Sequence, residues 1–467
     1  MRTGCGIGDT IRRTAGLGLA LLLAACATPG NAPAPAPLVP KAFTEPVDAD
    51  AAMPTTDGWN AFGSAELSSL VAAAMNANPD LAIAAERVRQ AEAQVRIAGA
   101  TLFPVVNLGA DSSRRDTRVD GGNWQAGNAS SATLNARYEV DLWNKNASTV
   151  RSAEATHKAS RFDRESLGLT IKAGVASAYF QILSLRTRLS VARANLGVAE
   201  RVFAVVDSRV RNGAASALDR ARQQATVLTQ RAAIPPLELQ ERQTLFALAI
   251  LVGQAPEGFE IAGSTLAGVA VPRIAPGLPA QLLVRRPDLA SAEAQLAAAN
   301  ANVAVARADL LPGIGLTGSG GFASDALLNF LKGPTASLMI GASLLQPIFH
   351  GGRLQAQTDA AAARERELVE NYRKAVLAAL ADVESALAAG ERTTTQERLQ
   401  AGVLEQLRLA LRLAVIRYRE GAVDLLAPLD AQRTLFLAED QAVQIRLSRL
   451  LASVGLFKAL GGGWANS

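Results

Sequence analysis

The chain has 467 residues, of which 49% are hydrophobic but only 4% aromatic, with 19% charged and a formal net charge of +5. So few aromatics argue against a conventional globular enzyme core, and a composition dominated by Ala, Leu, Gln, Arg and Glu points to long helices packed through small residues. Acidic and basic residues are interspersed rather than gathered into a stripe, which argues against nucleic acid as a partner.

Residues 1–25 read as an export signal. Arg2, Arg12 and Arg13 form a basic start, and Ala15 to Ala25 form an apolar segment too short to span a bilayer. Leu23-Ala24-Ala25-Cys26 carries the small residues a lipoprotein signal peptidase requires, so Cys26 is the expected lipidation site. Ala27, in place of an aspartate, directs the acylated protein to the outer membrane. Cleavage removes Cys5 and lowers the net charge from +5 to +3 through loss of Arg2, Arg12, Arg13 and Asp9. No intrachain disulfide is then possible. Residues 26–58 read as the lipidated cysteine and a Pro/Ala-rich tether.

A first structural repeat is expected at 59–260. Pro79-Asp80-Leu81 opens an alanine-rich helix that runs to Leu102-Phe103-Pro104. Val106, Leu108 and Ala110 then alternate with Asn107, Gly109 and Asp111. Leu134, Ala136, Tyr138 and Val140 alternate with Asn135, Arg137, Glu139 and Asp141. Period two predicts a strand pair over about 104–142 with one apolar and one polar face, joined through a polar loop near 116–128. A long helix follows from 144. Its apolar positions Val175, Ala178, Ile182, Leu185, Leu189, Ala192, Leu196, Ala199, Phe203 and Val206 step alternately by three and four, the seam of a left-handed coiled coil. The helix stops at Gly213, and a return helix is expected at about 216–251.

The second half, 261–467, repeats this plan. Pro287-Asp288-Leu289 and Leu310-Leu311-Pro312 lie 208 residues (287 − 79) after their counterparts, and 13 of 30 positions agree between 79–108 and 287–316. Arg417-Tyr-Arg-Glu-Gly421 answers Arg209-Val-Arg-Asn-Gly213 at the same spacing. A tandem duplication explains all three matches. Strands are expected at about 312–347 from Ile314, Leu316, Leu338, Ile340, Ala342 and Leu344, then a long helix over about 352–419 and a return helix over 424–459. Each long helix would run roughly 100 Å at 1.5 Å per residue.

Four strands make either a small soluble sheet or part of something larger. Helices this long cannot fold compactly over so little sheet. A lone four-stranded sheet cannot sit in a bilayer either, because its edges leave backbone groups unpaired. Membrane insertion therefore requires strands shared between subunits, and three chains would give twelve. Nothing marks an enzyme: His157 and His350 are far apart, and no Gly-x-Ser-x-Gly, His-Glu-x-x-His or phosphate loop is present. No metal or cofactor is expected.

Three segments carry a family resemblance. The run RRPDLASAEAQLAAANANVAVARADLLPGIGLTGSGG (285–321), the turn LQPIFHGGRLQAQ (345–357) and RYREGAVDLLAPLDAQRTL (417–435) resemble the TolC-like outer-membrane efflux factors, most closely the lipoprotein branch serving resistance-nodulation-division pumps. With the lipobox, the resemblance covers nearly the whole mature chain. It implies a mainly α protomer with a small β portion, assembled as a homotrimer. Each chain gives four strands to one twelve-stranded outer-membrane barrel, and the helices continue it as a periplasmic tunnel. Such proteins are passive ducts that dock on a periplasmic adaptor (membrane fusion) protein and an inner-membrane pump.

In that frame Arg209, Arg211, Gly213, Arg417, Tyr418, Arg419, Gly421 and Asp424 belong to the periplasmic tip, where adaptors bind and the tunnel closes. Charge-assisted pairs between Arg, Asp and Tyr supply contacts that a partner can exchange. Asp424 reads equally as the N-cap of the return helix, and some family members carry an acidic ring one position earlier, where this chain has Val423. Asn135, Arg137, Glu139 and Asp141 would face the barrel lumen. Trp124, Tyr138 and Trp143 are candidates for interfacial aromatics. The alternative to a duct is a lipid-anchored coiled-coil spacer or adhesin without a pore.

Overall fold

The computed structural model describes residues 39–45, 58–118, 120–325, 333–462 and 464, so the signal, Cys26 and most of the tether lie outside the described residues. The chain divides into two compact units: residues 95–154 with 296–369, and residues 37–94 with 155–295 and 370–467. Neither unit coincides with one sequence repeat. Each draws on both halves.

The helices fall in register at the 208-residue offset. α1 (Ala65–Ala77) and α2 (Pro79–Ala100) precede the first strands, and α6 (Leu282–Arg285) and α7 (Pro287–Ala308) precede the second pair. α2 and α7 both have 22 residues, while α3 (Lys145–Arg211) and α8 (Arg353–Arg419) both have 67. The expected return helices are α4 (Ala217–Ala232) with α5 (Ile234–Leu251), and α9 (Leu426–Ala459). The first return is split where the second is continuous. Pro235 and Pro236 cannot donate to the preceding turn, so the helix stops at Ala232 and restarts with proline in its first turn.

The second unit is built on α3. Of its ten seam positions, Val175, Ala178, Ile182, Leu185, Leu189, Ala192, Ala199 and Val206 are buried, so the three-four stripe is the face turned to the core. Trp59, Phe62, Phe180 and Phe457 cluster with Val175, Ile182, Leu245 and Leu248 in the main core. Each such side chain contributes about 1.5–3 kcal/mol when fully buried. The apolar stripe on α8 is more open: Val376, Val383, Leu411 and Tyr418 are buried, whereas Tyr372, Leu380, Leu387, Leu404, Leu407 and Val415 are only half-buried.

Repeat symmetry extends to the polar fastenings. Asn78, just before α2, donates from Nδ2 to the Leu251 carbonyl at 2.8 Å and accepts from the Asp80 and Leu81 amides. Its counterpart Arg286 donates to the Ala459 carbonyl at 3.2 Å, and Ala459 is the counterpart of Leu251. Arg286 also grips both oxygens of Asp288 (3.0 and 2.7 Å) and reaches Asp382 at 3.1 Å. In both halves the start of the short helix is tied to the end of the return helix, by an amide in one and a guanidinium in the other.

The first unit holds one antiparallel sheet in the order β1 (Val105–Thr117), β2 (Gln125–Val140), β3 (Gly313–Ser324) and β4 (Thr335–Leu345). The strands run further toward the loops than the apolar alternation reaches. Ser112 to Thr117 and Gln125 to Ser131 pair through the backbone despite being small or polar.

Candidate functional site

Register decides what each face of the sheet presents. Val105 pairs with Arg137, Arg137 with Thr317, and Thr317 with Gly341, so odd-numbered residues share one face across all four strands. Even positions share the other: Val106, Leu108 and Ala110 on β1, Leu134 to Val140 on β2, Ile314, Leu316 and Phe322 on β3, and Leu338, Ile340, Ala342 and Leu344 on β4. Over these inner positions that face is apolar and largely exposed. Leu108 is 77% exposed, Leu338 81% and Ile340 84%. The odd face carries Asn135, Arg137 and Glu139 with Thr317, Ser319, Ser337 and Ser343, as the alternation predicted. Those first three residues are exposed as well.

Both outer strands keep one side unpaired, β1 along 13 residues and β4 along 11. A bare apolar face beside two long open edges is a pairing and aggregation hazard in water. The same geometry is complete when further strands close the sheet and lipid meets its apolar face, since spanning strands need about 9–11 residues.

Asp141 departs from its predicted place. It falls beyond the last residue of β2, and its carboxylate accepts from the Asn146 and Ala147 amides at 2.9 and 2.8 Å. It therefore caps the start of α3, where the free amides of the first turn require an acceptor. Near it, Lys145 bridges Asp309 at 3.0 Å and Glu139 at 3.6 Å. Trp143 donates to the Pro312 carbonyl at 2.7 Å, while Trp124 is exposed in the β1–β2 loop. Tyr138 lies on the apolar face of β2.

The predicted tip residues are brought together in the second unit. Two residues past the end of α3 stands Gly213 at φ +72°, and two past α8 stands Gly421 at φ +77°, a conformation in which any Cβ is strained. The Ala214 amide bonds the Arg209 carbonyl and the Gly213 amide that of Val210, and the Ala422–Arg417 and Gly421–Tyr418 bonds repeat this. Two identical left-handed caps thus reverse the two long helices.

The two ends also touch. Arg209 donates to the Tyr418 carbonyl at 2.6 Å and its guanidinium sits 4.7 Å from the centre of the Tyr418 ring. Tyr418 is buried with Val202, Val206 and Leu425, and burial pushes its phenol up.

The remaining predicted residues divide. Arg211 pairs with Asp207 at 3.3 Å, and Arg220 reaches the same carboxylate at 2.7 Å. The Arg220 hydrogen bond, with Arg211 beside it, holds Asp207 below the usual carboxylate range. Asp207 and Arg220 were not singled out from sequence, although Asp207 and Arg211 have the i, i+4 spacing of a helical ion pair. Arg417 and Arg419 are exposed, and no ion pair involves them among the described residues. Asp424 is exposed too and accepts from the Leu426 amide at 3.2 Å, a helix-start contact. Its counterpart in the first half is Ser216, which forms a reciprocal capping box with Asp219. The expected Arg–Asp–Tyr cluster is therefore an Arg209–Tyr418 pair, with Asp424 occupied at the helix start.

No helix among the described residues is long and apolar enough to cross a membrane, and no group of three His, Cys, Asp or Glu side chains among them is arranged to hold a metal. The sequence profile described as "outer membrane efflux protein" matches residues 70–254 and again residues 278–462, a displacement of 208 (278 − 70). The chain belongs to the outer membrane efflux protein family.

Relatives within this family agree over nearly full length. The chain is 44% identical over 414 residues to the pyoverdine export outer membrane protein OpmQ of Pseudomonas aeruginosa, covering 87% of each chain. It is 34% identical over 434 residues to the outer membrane protein OprJ of the same organism, covering 89% of this chain and 88% of that one. The open state of the MtrE outer membrane channel of Neisseria gonorrhoeae matches with a TM-score of 0.83 at 30% identity, over 91% of this chain and 96% of MtrE. This efflux protein is accordingly a TolC-like outer-membrane channel that extends into the periplasm. Its fold is the mainly helical, internally duplicated one with a small antiparallel sheet, and its family consists of channel proteins.

Proposed function

We propose that three copies of this chain close their sheets into one twelve-stranded barrel and line a passive exit duct. The duct carries small molecules from an inner-membrane pump of the resistance-nodulation-division type, through a periplasmic adaptor, to the exterior. The observation that carries this reading is the sheet with one bare apolar face, one polar face and two open edges. A spacer or adhesin without a pore has no use for that combination. Asn135, Arg137 and Glu139 then line the lumen, where mixed charges suit hydrated passage rather than a specific site. Cargo selection rests with the pump. The 44% identical relative, a pyoverdine export protein, puts pyoverdine beside drugs among the cargoes to test. Loss of the protein is expected to raise cellular retention of a fluorescent pump substrate, with full reversal by the wild-type chain. Retention that is unchanged removes the duct.

Lipid on Cys26 would hold the protein in the outer membrane beside its barrel. Cys26→Ser is expected to abolish incorporation of labelled palmitate and to weaken retention in the outer-membrane fraction. Unchanged fractionation would make the lipid dispensable for anchoring.

The paired ends of α3 and α8 form the tip that adaptors grip, with Arg209, Arg211, Arg417, Tyr418, Arg419 and Asp424 arranged around Gly213 and Gly421. Arg209→Ala removes the hydrogen bond to the Tyr418 carbonyl and the stacking on its ring, together about 1–3 kcal/mol. Single-channel conductance or antibiotic leak should rise. Asp424→Ala is expected to raise leak as well; no change there leaves helix capping as its whole role.

A further inference from the structure

Residues 39–45 lie along the helical unit. Val39 packs against the cluster of Leu289, Val376 and Ala379, and Phe43 against that of Leu282, Val383 and Leu456. The Thr44 amide donates to Glu384 Oε1 at 2.7 Å, and Glu45 faces Arg392 at 3.7 Å. From Val39 to Glu45 the partners advance along α8 from Val376 and Ala379 through Glu384 to Arg392, so the segment runs in the direction of that helix.

The duplication accounts for the groove it fills. Leu282, Val383, Leu456 and Leu460 stand 208 residues after Ala74, Val175, Leu248 and Val252. In the first half that core is covered by α1, which buries Leu67, Val71 and Ala74 in it. In the second half this helix is cut back to a 3-10 turn at Pro279–Gln281 and the four residues of α6, so its first turns are missing. Ile274 and Phe43 pack against the cluster that Leu282 of α6 shares with Val383 and Leu456. A core left open on one side would expose these apolar side chains to water, which is unfavourable in proportion to the area exposed.

We propose that residues 39–45 are a strap that replaces α1 in the second half, completing its core and fixing the far end of the lipid tether. Val39 lies thirteen positions after Cys26 (39 − 26), a reach of at most about 45 Å. An acyl chain on Cys26 is then leashed to a defined point on α8. Only this consequence rests on lipidation; the strap does not.

Hydrogen exchange on the full-length protein in detergent tests the strap. Phe43→Ala should speed exchange in residues 282–285 and 456–460 about tenfold or more, as removal of a packed ring opens the segments beneath it. The mirrored residues 74–77 and 248–252 should keep their wild-type rates. Phe43→Leu, a milder change, should give a smaller acceleration confined to the same segments. Unaltered exchange at 282–285 and 456–460, or equal acceleration in both halves, overturns the proposal. Cys26→Ser should leave all four segments unchanged, which separates failure of the strap from failure of the lipid reading.

Discussion

Replacing Leu338 and Ile340 together by arginine should keep the protein out of the outer membrane. Both lie on the even face of β4 and are more than four-fifths exposed. On the lipid side of a barrel, an arginine near the midplane costs about 2–4 kcal/mol, so the pair costs roughly 4–8 kcal/mol. That is comparable with the whole stability of a typical domain. The matched control is Ser319→Arg with Ser337→Arg, on the odd face of neighbouring strands. There the guanidinium would meet water in the lumen, and insertion should be near normal. Outer-membrane fractionation and protease accessibility in whole cells read both pairs. Equal loss in the two would mean that the faces are not distinguished by lipid, and the barrel reading would fail.

Gly461→Ala should abolish most of the folded protein. Gly461 follows α9 with φ +82°, and a Cβ there would land on the Arg285 carbonyl oxygen. Gly253 repeats the arrangement after α5: its φ is +72° and its Cβ would strike the Ala77 carbonyl. A left-handed non-glycine residue and an overlap with backbone that cannot rotate away add to a loss on the order of 3 kcal/mol or more. Gly455, four residues before the end of α9, has open space around its Cβ position. Gly455→Ala should be neutral or stabilising by about 0.5–1 kcal/mol, because alanine is the better helix former. Thermal melts and the yield of membrane-inserted protein compare the two. If Gly461→Ala melts with Gly455→Ala, the close approach of the return helix to the preceding short helix is not what shapes this region.

Much of the fold is written in local pattern. The limits of α3 and α8 follow from the glycines and the offset, because a helix must stop where two left-handed caps recur at matching positions. The inner parts of the strands follow from period two. Their outer parts do not: Ser112 to Thr117 and Gln125 to Ser131 are small or polar on both faces, so only the backbone ladder specifies them. Asp141 was misread for a related reason. The alternation continues one residue past the sheet, and nothing local says that its carboxylate turns to the amides of Asn146 and Ala147. The break at Ala233 had its signal in plain view in Pro235-Pro236, masked by the expectation that both return helices match.

Contacts between distant segments were the least legible. Arg209 and Tyr418 are 209 residues apart (418 − 209), and their pairing emerges only where the ends of the two long helices meet. Phe43 sits in a stretch that reads as tether by composition, yet it completes a core set up by residues more than 200 positions away. Gly253 and Gly461 did carry a signal, since they share the 208-residue spacing, but their role depends on a carbonyl supplied by another helix.

Mass and conductance of the purified protein put the whole account at risk together. Extracted in detergent, it should have the mass of three protomers and, in a planar bilayer, pass ions through discrete channels that Arg209→Ala enlarges or opens more often. A single protomer that leaves the bilayer silent would mean that these four strands seal no pore.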